Sequence, residues 1–365
     1  MKSQNTKGRL AVKHTAQDRE EQVSQAMILA IPSLHLDPSL PVLIVDDTSH
    51  NLKKHLVAQG FKEVHTWSRY CDGLSKGTPS PPHEAAPFQA IFMRLPRAKQ
   101  VLLMQAHILA ALLTPEQGKL VVYGANDEGI KSTAKKLSDI FAHTSTVDSR
   151  RHCRVIQARK ALPTIAHKTE LQHWLEEQPH PLTDLITSLP KDSTWHHYPG
   201  LFAKGKLDDA TALLLTHLPS INPGDSVLDF AAGGGIISAF ISLAYQGITT
   251  HMLEVDSIAL LAAKHNVPGA TTYLSDSWNH VPKGLKVDHI LSNPPIHKGK
   301  SEDFSVLHEL VHRAPDYLNP GGSLTLVVQS QVPTQDIFDQ SQHQSWKDIK
   351  LLADDRRFKI WHATT

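Results

Sequence analysis

The amino-acid sequence predicts an α/β protein with two domains in tandem, each containing a mostly parallel, doubly wound sheet. Short apolar runs alternate with segments of helical periodicity twice along the chain, which is typical of strands joined by crossover helices. The chain has 365 residues, enough for two domains of about 100 to 200 residues each. Its end has the pattern of a hairpin, so an antiparallel pair is expected to close the second sheet.

The first alternation spans residues 27–161. Strands are predicted where apolar and β-branched residues cluster, at residues 42–45, 63–67, 89–93, 120–123 and 154–157. Helices are predicted between them at residues 99–113 and 129–141. The stretch 176–200 is rich in proline, histidine and threonine and is expected to connect the two domains.

The second alternation is more regular. Its strands are predicted at residues 226–230, 251–255, 271–274, 287–292 and 323–328, followed by the hairpin 349–352 and 358–362. Its helices are predicted at residues 236–245, 258–266 and 304–318, and Pro315 is expected to kink or end the last one. The predicted domains are therefore residues 1–180 and 201–365, with a linker at 181–200.

Composition excludes several classes of protein. No run of about 18 apolar residues is present, so no membrane-spanning helix is expected. The N-terminus has no apolar core and does not have the pattern of a secretory signal. The two cysteines, Cys71 and Cys153, are too few for a disulfide framework, which indicates a reducing cytoplasm. The net charge of +1 gives little support to a strong nucleic-acid field, although basic clusters such as residues 150–154 occur.

The segment VLDFAAGGGIISAF, residues 227–240, has the order of a strand, a glycine loop and a helix. Gly233 and Gly235 allow a tight turn and a close approach of the backbone to a ligand. The dinucleotide-binding pattern requires a glycine at position 238, where Ser238 stands. Asp229 adds a carboxylate beside the loop, which favours a cationic amino-acid ligand over a pyrophosphate. A purely structural turn remains the alternative.

Polar side chains follow three further predicted strands. Glu254 lies 21 residues beyond Gly233, the usual separation for an acid that accepts hydrogen bonds from ribose hydroxyls. Asp276 follows the third strand and could accept from an adenine amine, and Asn293 follows the fourth. Each residue alone could be a solvated strand end. Because ligands of open α/β sheets bind outside the carboxyl ends of the strands, the combination predicts one ligand crevice.

Asn293 is followed by Pro294 and Pro295 directly after an apolar strand. Proline fixes its own φ and forces the preceding residue into an extended conformation. The strand therefore ends in a rigid tip that holds one amide side chain in a set direction. Such an amide suits the recognition of an amine, although a turn without chemistry would have the same residues.

The segment HELVH, His308 to His312, matches the zinc motif HExxH. Neither a glycine at position 315 nor a glutamate after Glu309 is present, so the third ligand of known zinc enzymes is missing. With 24 histidines in the chain, a chance match is the favoured interpretation, and no metal is expected.

The sequence resembles class I S-adenosylmethionine-dependent methyltransferases that act on planar amino or amide nitrogens. Within that class it is similar to the RsmC-type family of small-subunit ribosomal RNA guanine-N2 methyltransferases. Three segments carry the resemblance: YPGLFAKGKLDDATALLL at 198–215, VLDFAAGGGIIS at 227–238 and LSNPPIHKG at 291–299. The segment YGANDEGIKSTAKKLSD at 123–139 agrees with the family's first domain, so the resemblance covers residues 41–362.

This resemblance implies two tandem Rossmann-like methyltransferase domains, of which only the second binds S-adenosyl-L-methionine. The first domain is then a fold support and an RNA-docking surface, the partner is 16S ribosomal RNA or the small ribosomal subunit, and the chain is a monomer. The implied site residues are Asn293, Pro294, Pro295 and Ile296 for catalysis, and Asp229, Ala231, Gly233, Gly235, Glu254 and Asp276 for the cofactor.

Two residues depart from the family pattern. Ala231 stands where a glycine is usual, and three following glycines are left to form the turn. Ile296 replaces an aromatic residue that would stack on the target base, a loss of about 1–3 kcal/mol. His297 could compensate in part, or the substrate could differ. Adenine-N6 and protein glutamine-N5 methyltransferases share the Asn-Pro-Pro tip, and a catalytically lapsed RNA-binding protein is a further alternative.

Overall fold

In a computed structural model of the protein, residues 16–72, 75–298, 301–341 and 346–365 are described. They form two α/β units, each containing a sheet of mostly parallel strands with helices on both faces. The predicted fold class is confirmed, including the antiparallel hairpin at the end of the second sheet. No helix in the described part of the chain has the length and hydropathy needed to span a bilayer.

The first unit begins with a helix that the sequence patterns missed. Its sheet has the order β2-β1-β3-β4-β6-β5, in which β5 and β6 are antiparallel to their neighbours. The elements are α1 (Ala16–Ala30), β1 (Val42–Val45), α2 (Asn51–Ala58), β2 (Val64–Trp67), β3 (Ala90–Arg94), α3 (Lys99–Ala110), β4 (Lys119–Ala125), α4 (Thr133–Leu137), β5 (Phe141–Arg150) and β6 (Cys153–Ala161).

An antiparallel ribbon of β7 (Glu176–Pro179) and β8 (Thr194–His197) leads to the second unit. The sheet of this unit has the order β11-β10-β9-β12-β15-β17-β16. Its elements are α5 (Asp209–Leu215), β9 (Ser226–Phe230), α6 (Ile236–Ala244), β10 (Thr249–Glu254), α7 (Ser257–Asn266), β11 (Thr271–Leu274), β12 (Val287–Ser292), β13 (His297–Lys298), β14 (Ser301–Glu302), α8 (Ser305–Arg313), β15 (Leu318–Gln329), α9 (Thr334–Asp339), β16 (Asp348–Asp354) and β17 (Phe358–Thr364).

Each sheet is buried on both faces, which explains why its central strands are continuous apolar runs. In the first unit, Leu43 and Val45 of β1 point into one core, and Val42 and Ile44 point into the other. In the second unit, Leu228 of β9 likewise points into one core and Val227 into the other. The strand period of two residues thus divides each apolar run between two helical layers.

Two local predictions differ from the structure, and the expected effect of Pro315 is confirmed. Residues 129–141 form one short 3-10 turn and the short helix α4, because Phe141 already begins β5 and pairs with β6. The stretch 176–200 contains the ribbon β7–β8, and its Trp195 is fully buried in the second core. The helix predicted over 304–318 ends at Arg313, as expected from Pro315, which lacks the N–H needed to continue it. The domain limits at residues 180 and 200 stay predictions.

The two units are joined by a buried ion pair. Arg69, after β2, donates from Nε and Nη2 to both carboxylate oxygens of Asp256, at 2.9 and 2.5 Å. Only 1% of the Arg69 side chain is exposed. The same loop exchanges backbone hydrogen bonds with the residue after β10 and with α7, from Cys71 N to the Val255 carbonyl and from Ser257 N to the Arg69 carbonyl. Asp256 also caps α7, so the ion pair links the first unit to that helix.

Arg69→Ala should lower the free energy of unfolding by about 3–5 kcal/mol, because it leaves the buried Asp256 carboxylate without its counter-charge. The matched control is Arg19→Ala, which breaks an ion pair with Asp127 in which both side chains are more than a third exposed. The control should cost at most about 1 kcal/mol. Urea denaturation of both variants measures the difference, and equal losses would contradict the importance of the buried pair.

Candidate active site

The predicted site residues lie around one cavity of about 620 Å³ at the carboxyl ends of β9, β10, β11 and β12. Eight of them line it: Ala231, Gly233, Glu254, Asp276, Asn293, Pro294, Pro295 and Ile296. Apolar side chains from α6, β10 and β15 complete much of the wall. Parallel strands place their carboxyl ends at the same edge of a sheet, which is why residues far apart in sequence meet here.

Asp229 and Gly235 do not line this cavity. Gly235 has a φ of 87° at the start of α6, and an added Cβ would lie 3.1 Å from Met252 Sδ and 3.3 Å from Ala263 Cβ. The glycine therefore allows α6 to pack closely against β10 and α7, the same use that the third glycine has in dinucleotide-binding loops. Direct contact of Gly235 or Asp229 with a cofactor stays a prediction.

Asp229 lies behind the glycine loop and is completely buried. Its Oδ2 accepts hydrogen bonds from the backbone N and the Oγ of Ser238, both at 3.1 Å. Within the described part of the chain, its Oδ1 has no hydrogen-bond partner. The pKa of this carboxyl is raised to about 7, chiefly by burial and in small part by the nearby Glu254 charge, although the two Ser238 hydrogen bonds act to lower it. Asp229 thus connects the end of β9 to α6 through its hydrogen bonds with Ser238. Ser238 stands at the position where a dinucleotide-binding site requires glycine.

Glu254 is held by three backbone N–H groups. Its Oε2 accepts from Gly233 at 2.7 Å, and its Oε1 accepts from Val255 at 2.8 Å and Asp256 at 3.0 Å. The side chain is 8% exposed and faces the cavity. Burial raises the pKa of its carboxyl, and the charge of Asp256 acts in the same direction. The carboxylate is therefore fixed in place, with lone pairs left to accept hydrogen bonds from a ligand's hydroxyl groups.

The Asn293 carboxamide is oriented by residues that sequence patterns did not single out. Its Nδ2 donates to Thr211 Oγ1 at 3.0 Å, and Thr211 Oγ1 donates to Asp208 Oδ2 at 2.5 Å. Asp208 is the N-cap of α5 and accepts from the backbone N–H groups of Ala210 and Thr211. With Nδ2 directed to Thr211, Oδ1 is the atom with which the carboxamide can accept from a substrate. The sequence signal that could have identified these residues is the segment LDDAT, which has the pattern of an N-cap before a helix.

Ile296 is 8% exposed and packs into the core beneath α8. It reaches the cavity with an aliphatic surface and supplies no aromatic plane. Pro294 is buried and Pro295 is exposed, so the tip is anchored on one side and open on the other. The side chain of His297, considered above as a substitute for the missing aromatic, lies outside the described residues.

Polar side chains at the corresponding sheet edge of the first unit are paired with one another. Asp46, directly after β1, accepts from Gln105 Nε2 at 2.7 Å. Arg94, at the end of β3, pairs with Glu20 of α1 at 2.8 Å and with Glu128 at 2.7 Å. Polar groups that would otherwise face a ligand are thus engaged with one another. The absence of a cofactor from this unit stays a prediction, which calorimetric stoichiometry of the full chain would check.

The HELVH histidines lie on α8 with ring centroids 5.9 Å apart. Across residues 16–72, 75–298, 301–341 and 346–365, no three His, Cys, Asp or Glu side chains are arranged to hold a metal ion. The motif therefore has no third ligand in the described structure.

Two family profiles match consecutive parts of the chain. The profile described as methyltransferase small domain N-terminal matches residues 40–178, and the one described as methyltransferase small domain matches residues 192–362. The ribosomal RNA small subunit methyltransferase C of Alteromonas mediterranea is 31% identical over 280 residues, which is 75% of this chain and 72% of that protein. The chain belongs to this family.

A second family member, from Hahella chejuensis, is 30% identical over 284 residues, which is 76% of this chain and 78% of that protein. A solved structure described as the T. thermophilus 16S rRNA N2 G1207 methyltransferase in complex with AdoMet and guanosine superposes with a TM-score of 0.76. It is 21% identical and covers 94% of this chain and 92% of that chain. The tandem fold is therefore that of the family along nearly the whole chain, and the resemblance in sequence is confirmed.

Ala231 has a φ of 62°, in the left-handed region that a glycine adopts without strain. We expect Ala231→Gly to raise the free energy of unfolding, because removing roughly 1–2 kcal/mol of strain outweighs a chain-entropy cost of about 0.4–1 kcal/mol. The control is Ala232→Gly, at a neighbouring position outside the left-handed region, which should lower it. Urea denaturation of the two variants checks this, and equal losses in both would show that Ala231 is unstrained.

The buried Asp229 carboxyl predicts a pH dependence of stability. Between about pH 4 and pH 7 the folded protein keeps this group protonated while the unfolded chain has lost the proton, so stability should fall by roughly 1.4 kcal/mol per pH unit as pH rises through this window. Asp229→Asn cannot titrate. Its free energy of unfolding, relative to that of the parent, should therefore increase from pH 5 to pH 7, as measured by urea denaturation.

Asp288 provides the control for this measurement. Burial raises its pKa, but hydrogen bonds from Asn319 and Ser226 lower it more, so the net shift is downward. Both folded and unfolded states keep Asp288 ionised between pH 5 and pH 7. The difference between Asp288→Asn and the parent should be flat over that range, and a flat difference for Asp229→Asn as well would contradict the raised pKa.

Proposed function

We propose that this chain transfers a methyl group from S-adenosyl-L-methionine to the exocyclic N2 amine of a guanine in 16S ribosomal RNA. One observation carries the proposal. The Asn293 amide is fixed by Thr211 on the same cavity wall that holds the glycine loop and Glu254. An oriented amide acceptor beside a nucleoside-sized crevice suits amine recognition.

The cavity fits the proposed cofactor. Its volume of about 620 Å³ lies within the range of small-ligand sites, which are mostly apolar with a few placed polar groups. Glu254 would accept from the ribose hydroxyls and Asp276 from the adenine amine, while residues 231–234 give the backbone a close approach to the methionine portion. Asp229 would act on that portion through the loop that it holds. When bound, the cofactor supplies an electrophilic methyl group on a sulfonium.

The residues of the Asn-Pro-Pro tip would activate the acceptor by hydrogen bonding. The lone pair of a guanine amine is delocalised into the ring, which makes the nitrogen a poor nucleophile. Asn293 Oδ1 and the Pro294 carbonyl would accept the two amine hydrogens and orient the lone pair toward the methyl group. Positive charge develops on the nitrogen during transfer, so both acceptors bind the transition state more strongly than the ground state. Pro295 and Ile296 keep the tip rigid and bounded by apolar surface.

The proposal includes the wider setting of the reaction. The substrate is free 16S ribosomal RNA or the small ribosomal subunit, the chain acts as a cytoplasmic monomer, and no metal takes part. The first unit would support the fold and dock RNA, with exposed basic residues such as Arg151 in the β5–β6 turn and Arg159 near the end of β6. A phosphate-contacting surface of this kind makes binding weaker at higher salt.

One alternative function is favoured by a specific observation. Position 296 offers no aromatic plane and Ala231 is in a left-handed conformation, both of which suit a family member that binds RNA without catalysis. Incubation of the chain with labelled S-adenosyl-L-methionine and 16S ribosomal RNA, followed by nucleoside analysis, separates the two. Labelled N2-methylguanosine supports the proposal. Label on adenosine would reassign the acceptor, and binding of the RNA without methyl transfer would support the alternative.

Asn293→Ala should lower the methyl-transfer rate by about a hundredfold to a thousandfold, the usual loss when one transition-state acceptor is removed. Cofactor affinity, measured by calorimetry, should stay near that of the parent because Asn293 acts on the acceptor amine. Asn293→Asp keeps an acceptor oxygen and should retain part of the activity. Parent rates in both variants would reduce the Asn-Pro-Pro tip to a structural turn.

Thr211 allows a separate test of orientation. Thr211→Val removes the hydroxyl that accepts from Asn293, so it should lower kcat by about tenfold, less than Asn293→Ala, without weakening cofactor binding. The matched control is Thr211→Ser, which keeps the hydroxyl and should keep kcat within about threefold of the parent. Equal kcat values for the valine and serine variants would contradict an orienting role.

A further inference from the structure

Phe202 is an exposed aromatic residue on the wall of the active-site cavity. Its exposed fraction of 66% is the largest among the large hydrophobic side chains in the described part of the chain. A single exposed apolar side chain is ordinary on a protein surface. Phe202 is unusual in its position, because it borders the same cavity as Asn293 and Pro295.

The backbone around Phe202 is held firmly. On its N-terminal side, Tyr198 and Leu201 are 3% and 5% exposed and pack into a core between the two units, together with Val101 of α3 and Ile258 of α7. On its C-terminal side, the Gly205 carbonyl accepts from Gln178 Nε2 of the ribbon β7–β8 at 2.7 Å. Phe202 is therefore presented to the cavity by an anchored turn, and its exposure is not that of a loose loop tip.

The turn itself is strained. Ala203 and Lys204 have φ values of 49° and 54°, in the left-handed region, and two backbone hydrogen bonds close the turn from Lys204 N to Leu201 and from Lys206 N to Ala203. Such strain costs about 1–3 kcal/mol per residue and persists only where the surroundings enforce it. Here the anchors on both sides enforce it, and the result is an aromatic ring directed away from the core.

We propose that Phe202 supplies the flat apolar face on which the target base stacks, the contact that Ile296 cannot provide. This inference rests on the proposed function and deepens it by naming the residue that binds the base. A base separated from its neighbours in RNA is commonly recognised by stacking on an aromatic ring together with hydrogen bonds to its polar edge. Phe202 would provide the stacking surface, and Asn293 and Pro294 would provide the hydrogen bonds, from different elements around one cavity.

The test compares Phe202→Ala, Phe202→Leu and Phe202→Tyr in the full-length chain. Phe202→Ala should lower kcat/KM for RNA by about fivefold to 150-fold, the range expected for the loss of one base stack. Phe202→Leu should lose most of the same factor, because it keeps apolar volume without a ring. Phe202→Tyr should stay within about threefold of the parent. The matched control, Leu352→Ala, removes an exposed side chain of β16 that does not line the cavity and should change nothing.

Two binding measurements distinguish base stacking from other roles. Calorimetry with S-adenosyl-L-methionine should give the same Kd for the parent and Phe202→Ala. Fluorescence anisotropy with a guanosine-containing RNA hairpin should show weaker binding to Phe202→Ala and Phe202→Leu, and parent-like binding to Phe202→Tyr. A parallel loss of cofactor affinity would instead place the ring over the cofactor, and it would overturn the proposal.

Failure of this inference differs from failure of the proposed function. If the parent forms N2-methylguanosine and Phe202→Ala has the parent's kcat/KM and hairpin Kd, the function stands and the role of Phe202 is refuted. If the parent transfers no methyl group to RNA, the function is refuted. The hairpin Kd values then decide the role of Phe202 alone. They support it if, among the Phe202 variants, only Phe202→Tyr binds as the parent does, and they refute it if all three bind equally.

Discussion

The parallel register of β9 with its two neighbours is the constraint on which the candidate site depends. Asp229 of β9 is paired with Met252 of β10 on one side and with Leu291 of β12 on the other. That register brings the glycine loop, Glu254 and Asn293 together at the same edge of the sheet. A slip of one residue would turn every side chain of a strand to the opposite face. Burial of both faces by apolar residues prevents that slip.

The first unit contributes to this edge, while polar groups at its own corresponding edge are paired with one another. Its loop after β2 contacts Val255 and Asp256, the two residues that directly follow Glu254. The Arg69–Asp256 pair is buried, so its geometry is set by the packing around it and is little screened by solvent. Of the two α/β units, the second therefore has the candidate ligand cavity, and the first contacts the chain beside it.

The site includes features that lower stability. Asp229 is a carboxyl group in a completely buried position, Ala231 is a non-glycine residue in a left-handed conformation, and Ala203 and Lys204 share that conformation beside Phe202. Each costs folding free energy, and each lies at the cavity or directly behind it. Such strain is often concentrated where a protein must hold groups in one geometry for a ligand. The surrounding cores of two doubly wound sheets offset the cost.

The sequence by itself determined the fold class and the positions of the parallel strands, because buried strands are continuous apolar runs and glycine and proline mark their ends. The sequence also indicated the glycine loop, Glu254 and the Asn-Pro-Pro tip, because each can be recognised from nearby residues or from its spacing along the chain. Local patterns failed at residues 129–141 and in the ribbon β7–β8, where pairing with distant strands decides the structure.

Only the tertiary structure decided which groups meet at the cavity. Thr211 orients Asn293 across 82 residues of sequence, and Asp229 accepts hydrogen bonds from Ser238 behind the glycine loop and does not line the cavity. Phe202 reaches the cavity because residues on both sides of it are anchored in other elements. No local pattern encodes such contacts, since they arise when chain segments with separate local preferences are packed around the same sheet edge.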